Sequence, residues 1–348
     1  MKKLSYLLGA LLLSLSALSM ADPVIIKFSH VVAPDTPKGK AAEKFKQLVE
    51  ERSKGTIKVE VYPNSQLYKD REELEALQLG AVQMLAPSMA KFGPLGAREF
   101  ELFDLPFIFP NKETLYRTMD GAVGKRLFAK LETKGITGLA FWDNGFKQMS
   151  GNKPMHKVAD FAGMKMRIQS SKVLDAQMKA LGAMPQVMAF SEVYTALQQG
   201  VVDGTENPMS NMYTQKMHEV QKHLTLSDHG YLGYAVITNK KFWDGLTEDQ
   251  RKLIAQAMKE STVYERSIAQ QENDDSLAKV RAAKTTEVYT LTDAERAEWM
   301  KALLPVHAEF ESVVGKENLQ EVYNIAAEVA KEEAAKKHEA PKKKATKK

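Results

Sequence analysis

The chain has 348 residues, of which 44% are hydrophobic and 27% charged, and its formal net charge is +5. This length predicts about two domains with cores large enough to need no metal or disulfide staple. Cysteine is absent, which excludes thiol catalysis, thiolate metal sites and disulfide bonds.

The amino terminus has the pattern of a secretory signal peptide. Lys2 and Lys3 precede an apolar stretch over residues 4–18. Ser19 and Ala21 follow as small residues suited to a cleavage site. The alternative is a membrane anchor, but the apolar stretch is shorter than the roughly 20 residues of a spanning helix. We therefore expect cleavage near Ala21 and export to a bacterial periplasm.

The residues after this segment alternate between strand and helix patterns. Short runs rich in β-branched residues predict strands at residues 24–28, 57–62 and 82–86. Helical spacing followed by glycine predicts helices at residues 39–52 and 70–79. This order predicts a parallel sheet covered by helices.

The same alternation returns further along the chain. Strands are predicted at residues 138–142, 164–168 and 201–202, and helices at residues 171–181 and 191–199. Residues 249–284 contain neither Pro nor Gly, so a helix of unusual length is predicted after Thr247. No internal repeat or linker separates the two halves. This pattern predicts two α/β lobes joined by several crossings around a cleft.

The last 18 residues hold eight Lys and three Glu and account for a charge of +5. Such a composition cannot bury apolar surface and predicts disorder over residues 331–348. The signal peptide contributes +2, which leaves residues 22–330 at −2. An alternative function for the tail is binding to nucleic acid or anionic membranes. Because an exported protein meets little nucleic acid, we expect no nucleic-acid partner.

Motifs of catalysis and cofactor binding are absent from the sequence. It contains no GxGxxG after a strand, no P-loop, no GxSxG and no HExxH. His218 and His223 are five residues apart, which places them on different faces of a helix. We therefore predict no cofactor, no metal site and no enzymatic activity. An exported two-lobed protein without such motifs is more typical of a binding protein.

Residues 145–235 contain the best candidates for a ligand site. Arg167 lies among apolar residues of a predicted strand, so it either pairs with an anion or points to solvent, and the residues alone leave both open. Phe190 precedes a predicted helix and either packs on it or forms the floor of a cleft. Asn207 precedes Pro208 at a strand-to-helix switch, where α/β folds bind ligands, although a plain turn asparagine fits as well.

Three segments of this region resemble one protein family. They are GMKMRIQSS, MAFSEVYTALQQGVVDGTENP and HEVQKHLTLSDHGYLGYAVITNKKFW. They are similar to the solute-binding subunits of tripartite ATP-independent periplasmic (TRAP) transporters, most closely to the C4-dicarboxylate-binding branch. The segments IKFSHVVAPDTPKGKAAEKF and SQLYKDREELEALQLGAVQM also fit, and the resemblance extends to about residue 330.

The resemblance implies an α/β, two-lobed periplasmic binding protein (type II-like) with a cleft between the lobes and a long helix spanning both. The implied divisions are residues 22–144 and 233–272 for lobe I, 145–232 and 273–302 for lobe II, 303–330 for a C-terminal helical segment and 331–348 for a disordered tail.

The resemblance also implies roles for single residues. Arg167 matches the arginine that pairs bidentately with the ligand carboxylate, and Asn207 matches the asparagine that hydrogen-bonds the same carboxylate. Phe190 matches the aromatic residue beneath the ligand. Lys147 lies where many members carry a second basic residue, often arginine, although lysine lacks the planar fork.

Three further residues are candidates on the side of the first lobe. Ser88 and Lys91 lie in a loop expected to face the cleft, and His30 follows the first strand.

The implied function is capture of a C4-dicarboxylate such as succinate, malate or fumarate by cleft closure. The implied partners are the small and large membrane subunits of a TRAP transporter, and we expect a monomer. Three alternatives stay open: another organic acid (sialic, uronic, keto or aromatic) in the same fold, a periplasmic lyase using His30 or His229 as base, and an anion-surface protein using the Lys-rich tail.

Overall fold

A computed structural model describes residues 22–339, so the signal peptide predicted over residues 1–21 lies outside the described residues. The strands are β1 (Val24–Ser29), β2 (Ile57–Tyr62), β3 (Met84–Leu85), β4 (Ile136–Gly151), β5 (Lys165–Ile168), β6 (Met184–Val187), β7 (Gly204–Asn207), β8 (His223–Asn239) and β9 (Glu287–Thr290). The helices are α1 (Pro37–Arg52), α2 (Glu73–Gln78), α3 (Lys112–Asp120), α4 (Ala122–Glu132), α5 (Lys172–Ala180), α6 (Val193–Gln198), α7 (Met209–Thr214), α8 (Lys240–Gly245), α9 (Glu248–Ala283), α10 (Asp293–Leu303), α11 (Pro305–Val314) and α12 (Lys316–Glu339).

One mixed sheet joins the two lobes. Its order is β2-β1-β3-β8-β4-β7-β5-β6, and β9 pairs with β8 beside this path. β1 is parallel to β2 and β3, and β5 is parallel to β6 and β7. β8 runs antiparallel to β3 and β4, and β4 runs antiparallel to β7. The parallel sheet predicted for residues 24–86 is confirmed by β1, β2 and β3. The centre of the sheet is antiparallel, because β4 leaves lobe I for lobe II and β8 returns.

The long pair β4 and β8 carries both crossings between the lobes. Residues 136–143 of β4 pair with residues 233–239 of β8 in lobe I, and residues 149–151 pair with residues 223–225 in lobe II. Between these stretches the register slips twice, after Asp143 and after Lys147. The predicted lobe boundaries at 144/145 and 232/233 fall in this irregular part, and the assignment of whole ranges to lobes stays a prediction.

The predicted long helix is confirmed by α9, which has 36 residues. Thr247 accepts a hydrogen bond from the Gln250 backbone and Gln250 reaches back to Thr247, which forms a capping box. α9 packs on α1 and β4 at one end and on α7 at the other, so it spans both lobes. Near its middle the buried Glu265 accepts the backbone N–H of Asp143 at 2.9 Å.

Each lobe packs its own apolar core on this sheet. In lobe I, Phe28 contacts Phe45 and Trp142 behind α1 and α9. In lobe II, a methionine-rich core that includes Met166 surrounds Trp299. The carboxyl ends of β1 and β3 then face those of β5 and β7, which is where open α/β sheets bind ligands.

The predicted disorder of residues 331–348 is wrong for its first part. α12 continues to Glu339, and Arg117 of α3 makes two hydrogen bonds to Glu332 at 2.7 and 2.8 Å. Lys, Glu and Ala are strong helix formers, so a run that buries little surface can still extend a helix already packed on α3. Residues 340–348 lie outside the described residues. None of the helices within residues 22–339 combines the length and apolar character needed to cross a membrane.

Gly145 lies at the register slip after Asp143 and has a φ of +142°. A Cβ at this position would lie 2.8 Å from Asn273 Nδ2 of α9. We predict that Gly145→Ala lowers the free energy of unfolding by about 1–3 kcal/mol, because it combines backbone strain with a clash. Gly245→Ala is the matched control, since it meets no atom within 4 Å and gains helix propensity. Equal urea midpoints for the two variants would contradict this account of the crossing.

Candidate functional site

The lobes face each other across a small cavity lined by residues of both lobes. Four of the predicted site residues line it: Ser88 and Lys91 from lobe I, and Phe190 and Asn207 from lobe II. A smaller adjoining cavity is lined by Arg167 together with Lys91. The structure therefore brings five of the seven predicted residues to one cleft.

Arg167 is the buried cation on the lobe II side. It pairs with Thr205 in the β5–β7 ladder, so it lies on the same face as Thr205 and Asn207. The side chain is 2% exposed, which rules out the solvent-facing alternative. Its Nε and Nη2 donate to Met188 O at 3.0 and 2.8 Å.

The charge on Arg167 has no close counterion. Within residues 22–339, no carboxylate lies within 4 Å of the guanidinium. Burial lowers the pKa of Arg167, and the more distant Asp70 and Glu206 oppose this effect. Because a guanidinium stays protonated in proteins, the site presents an unmatched positive charge that suits an anionic ligand.

Phe190 and Asn207 complete the lobe II wall. The Phe190 ring centre lies 5.8 Å from Arg167 Cζ. Asn207 is the last residue of β7, where the strand-to-helix switch was predicted, and α7 begins at Met209. Its Nδ2 makes only a long contact of 3.3 Å with Thr205 Oγ1 and a weak one with Met217 Sδ. The amide is thus placed to donate to a carboxylate held by Arg167.

On the lobe I wall, Lys91 is already paired with two carboxylates. Its ammonium contacts Asp70 and lies 2.6 Å from Glu73 Oε1. Burial opposes the charge on Lys91, but the two carboxylates outweigh it and raise its pKa. Ser88 accepts a hydrogen bond from Gln169 Nε2 at 2.7 Å.

Asp70 is a cleft residue that the sequence pattern misplaced. Helical spacing put it inside a helix, but α2 begins only at Glu73. The freed carboxylate contacts Lys91 and accepts the backbone N–H of Phe190 at 2.5 Å. Burial opposes ionisation, yet Lys91 and Arg167 outweigh it and lower the pKa of Asp70 to about 2. In the sequence, only the acidic residues at the start of the predicted helix pointed to the position of Asp70.

Several polar contacts join the lobes directly across the cleft. Asp70 reaches the Phe190 backbone, Gln169 reaches Ser88, and Lys69 Nζ lies 3.0 Å from Glu192 Oε1. The structure therefore shows the lobes in a closed arrangement around a small cavity.

His30 directly follows β1 and precedes Val31 and Val32, which line the cavity. It is 1% exposed, and neither ring nitrogen has a hydrogen-bond partner among the described residues. Burial, followed by the charge on Lys38, lowers the pKa of His30 to about 3. The imidazole is therefore neutral and lies behind the cavity wall.

The structure does not bring Lys147 to this cleft. Side chains alternate along β7, so Glu206 lies on the face opposite Asn207, and Lys147 Nζ lies 2.5 Å from Glu206 Oε1. The other Glu206 oxygen lies 2.8 Å from His229 Nε2. Burial opposes the Glu206 charge, but Lys147 and His229 together outweigh it and lower the pKa of Glu206 to about 2. Lys147 is therefore matched inside lobe II, and the expectation that it holds the ligand is corrected.

The same network bears on the lyase alternative. His229 is fully buried, with Ser227 Oγ 2.7 Å from Nδ1 and Glu206 at Nε2, so both ring nitrogens are engaged away from the cavity. Within residues 22–339, no cluster of three or more His, Asp or Glu side chains could hold a metal ion. What the cleft offers is an anion-binding wall.

Comparisons with known proteins agree with this arrangement. The model of bacterial extracellular solute-binding protein family 7 (DctP) matches residues 28–313. The C4-dicarboxylate-binding periplasmic protein DctP of Rhodobacter capsulatus is 64% identical over 319 residues, which cover 92% of this chain and 96% of that protein.

Two solved structures share the fold. A TRAP periplasmic solute-binding protein from Shewanella oneidensis with bound succinate has a TM-score of 0.86 and 43% identity, covering 87% of this chain and 99% of that chain. One from Pseudomonas aeruginosa with bound L-malate has a TM-score of 0.80 and 41% identity, covering 82% and 100%. The resemblance to TRAP solute-binding subunits is confirmed, and the chain belongs to bacterial extracellular solute-binding protein family 7.

Proposed function

We propose that this chain is a periplasmic TRAP solute-binding protein that captures a C4-dicarboxylate and delivers it to the membrane subunits of its transporter. The observation that carries the proposal is the buried, unmatched Arg167 in a small closed cleft beside Phe190 and Asn207. The names and bound ligands of the relatives support a four-carbon diacid as the ligand.

One ligand carboxylate would bind at Arg167. The guanidinium N–H groups not used by Met188 O can donate to it, and Asn207 Nδ2 can donate to the same group. The Phe190 ring would cover the carbon chain and exclude water, which strengthens each polar contact. The small cavity and the direct contact between Gln169 and Ser88 favour a short ligand over a sugar acid.

Binding would shift an equilibrium between open and closed lobes. Ligand contacts from both walls exist together only in the closed form, so the ligand stabilises that form by its differential affinity. The closed form would dock on the membrane subunits. We further propose that the mature protein begins after cleavage near Ala21 and acts as a monomer.

Isothermal titration of the mature protein tests the ligand class. We predict binding of succinate, L-malate or fumarate in the micromolar range, about −8 kcal/mol, as a few charge-assisted bonds can supply. Sialic, uronic, keto and aromatic acids serve as competitors. Heat from one of these acids with none from the three diacids would overturn the ligand class.

Replacing Arg167 tests its role as the carboxylate anchor. We predict that Arg167→Lys weakens diacid binding at least about tenfold, because a lysine keeps the charge but loses the planar fork. The control is Lys165→Met, which removes an exposed cation from the same strand. Equal affinity of Arg167→Lys and the wild type, with both folded by circular dichroism, would remove Arg167 from the site.

Replacing Lys147 distinguishes a structural role from ligand contact. We predict that Lys147→Met lowers the free energy of unfolding without ligand by about 3–5 kcal/mol at pH 7, because Glu206 loses the cation that matches its buried charge. The double variant Lys147→Met with Glu206→Gln should recover part of this loss. A ligand-free stability equal to that of the wild type would return Lys147 to the list of ligand contacts.

A further inference from the structure

Lys38 is a buried lysine beside the lobe I wall of the cleft. It follows Pro37 in the first turn of α1 and is 1% exposed. Its Nζ donates to Ala86 O at 2.9 Å and lies 3.7 Å from the centre of the Tyr234 ring. Tyr234 itself lines the cavity next to Ser88. Only a tyrosine ring thus separates this ammonium group from the space between the lobes.

Among the described residues, Lys38 forms no ion pair of its own, although two carboxylates lie near it. The titratable and charged groups that act on it or pack against it are His30 after β1, Asp70 and Glu73 at the start of α2, Lys91, and Tyr234 in β8. Asp70 and Glu73 favour the charge on Lys38, but both contact Lys91 and pair with it. His30 is neutral, and burial raises the pKa of Tyr234, which is therefore neutral as well. Within residues 22–339, no carboxylate lies within 4 Å of Lys38 Nζ.

Two features of the fold make this position costly for a cation. The first turn of a helix carries a partial positive charge, which repels an ammonium group. Burial removes water, and an unmatched buried charge is destabilising. Burial first, and then the charge on Lys91, lower the pKa of Lys38 to about 7. An arrangement this unfavourable in the ligand-free chain is relieved by a negative charge placed in the cleft.

A C4-dicarboxylate brings two negative charges, and Arg167 matches one. Lys147 is held by Glu206 on the far face of lobe II, and Lys91 is held by Asp70 and Glu73. Resting on the proposed function, we infer that Lys38 supplies the positive charge that matches the second carboxylate and so selects diacids over monoacids.

This role links ligand binding to a proton. In the closed arrangement, with no negative charge in the cleft, Lys38 loses its proton as the pH rises through about 7. A carboxylate in the cleft favours the charged form and raises that pKa, so binding above neutral pH takes up as much as about one proton. Affinity for a diacid then falls with rising pH, by up to about tenfold per unit above pH 8.

The experiment compares succinate with succinamate, in which an amide replaces one carboxylate, by titration calorimetry at pH 8. Running each titration in phosphate and in Tris separates proton uptake from the heat of binding, because the two buffers differ in ionisation enthalpy. We expect the wild type to take up a proton with succinate and far less with succinamate. We expect Lys38→Met to abolish the uptake and weaken succinate about tenfold, because the attraction between the two charges across the Tyr234 ring is lost, with succinamate changed by less than about threefold.

Two further variants test whether the change in affinity comes from the Lys38 charge or from a change in the fold. Lys38→Gln keeps a donor for Ala86 O without the charge and should lose the same selectivity. Lys44→Met removes a cation from α1 whose Nζ makes only a 3.3 Å contact with Gln47, and should bind as the wild type does. Ligand-free Lys38→Met should unfold at the same denaturant concentration as the wild type or a higher one, because an unmatched buried charge is gone.

The outcomes separate the two proposals. A wild type that binds succinate, with Lys38→Met keeping both the succinate preference and the proton uptake, overturns the role of Lys38 alone. Equal losses for both ligands together with lower ligand-free stability also overturn it, since Lys38 would then only support the fold. A folded wild type that binds no C4-dicarboxylate overturns the proposed function itself.

Discussion

The antiparallel pairing of β4 with β8 is the constraint on which the rest of the molecule depends. Both strands continue through the two lobes, so each lobe completes its sheet with half of a strand that the other lobe also uses. Movement between the lobes must therefore be absorbed where the ladder is irregular, after Asp143 and after Lys147. α9 lies across this region and ties its backbone through Glu265. The proposed opening of the cleft would bend the ladder at these slips, while the strands on either side hold the binding groups in place.

Some of the buried cations have an ion-pair partner among the described residues, and others have none. Lys147 is matched by Glu206, and Lys91 is matched by Asp70 and Glu73. Arg167 and Lys38 have no such partner, and they lie on opposite sides of the cleft. Two buried cations on facing walls, neither of them in a direct ion pair with a described residue, attract a small anion that reaches both. The net charge of the chain gives no indication of this, since most of its positive excess lies at the two ends of the sequence.

Much of the fold and part of the site could be predicted from sequence. The α/β class, the long helix after Thr247 and the cleft positions of Arg167 and Asn207 follow from periodicity and motif resemblance. The sequence did not predict β8, because this long strand passes from one lobe into the other and contains glycines. No single alternation of apolar and polar residues therefore runs along it. The face occupied by Lys147 could not be predicted, because it depends on a register slip next to that residue. Nothing in the sequence indicated that Lys38 is buried, because a lysine in the first turn of a helix usually reaches solvent.

Glu206 and Asn207 are neighbours in β7, yet the Glu206 side chain lies inside lobe II and the Asn207 side chain lines the cleft. Only the alternation of side chains along the strand separates them. A shift of β7 by a single residue would turn a carboxylate toward Arg167 and convert an anion-attracting wall into one that carries its own counterion. The site therefore tolerates changes of side-chain size better than changes in chain length between β5 and β7. An insertion or deletion in that segment would abolish ligand binding even if both lobes still folded.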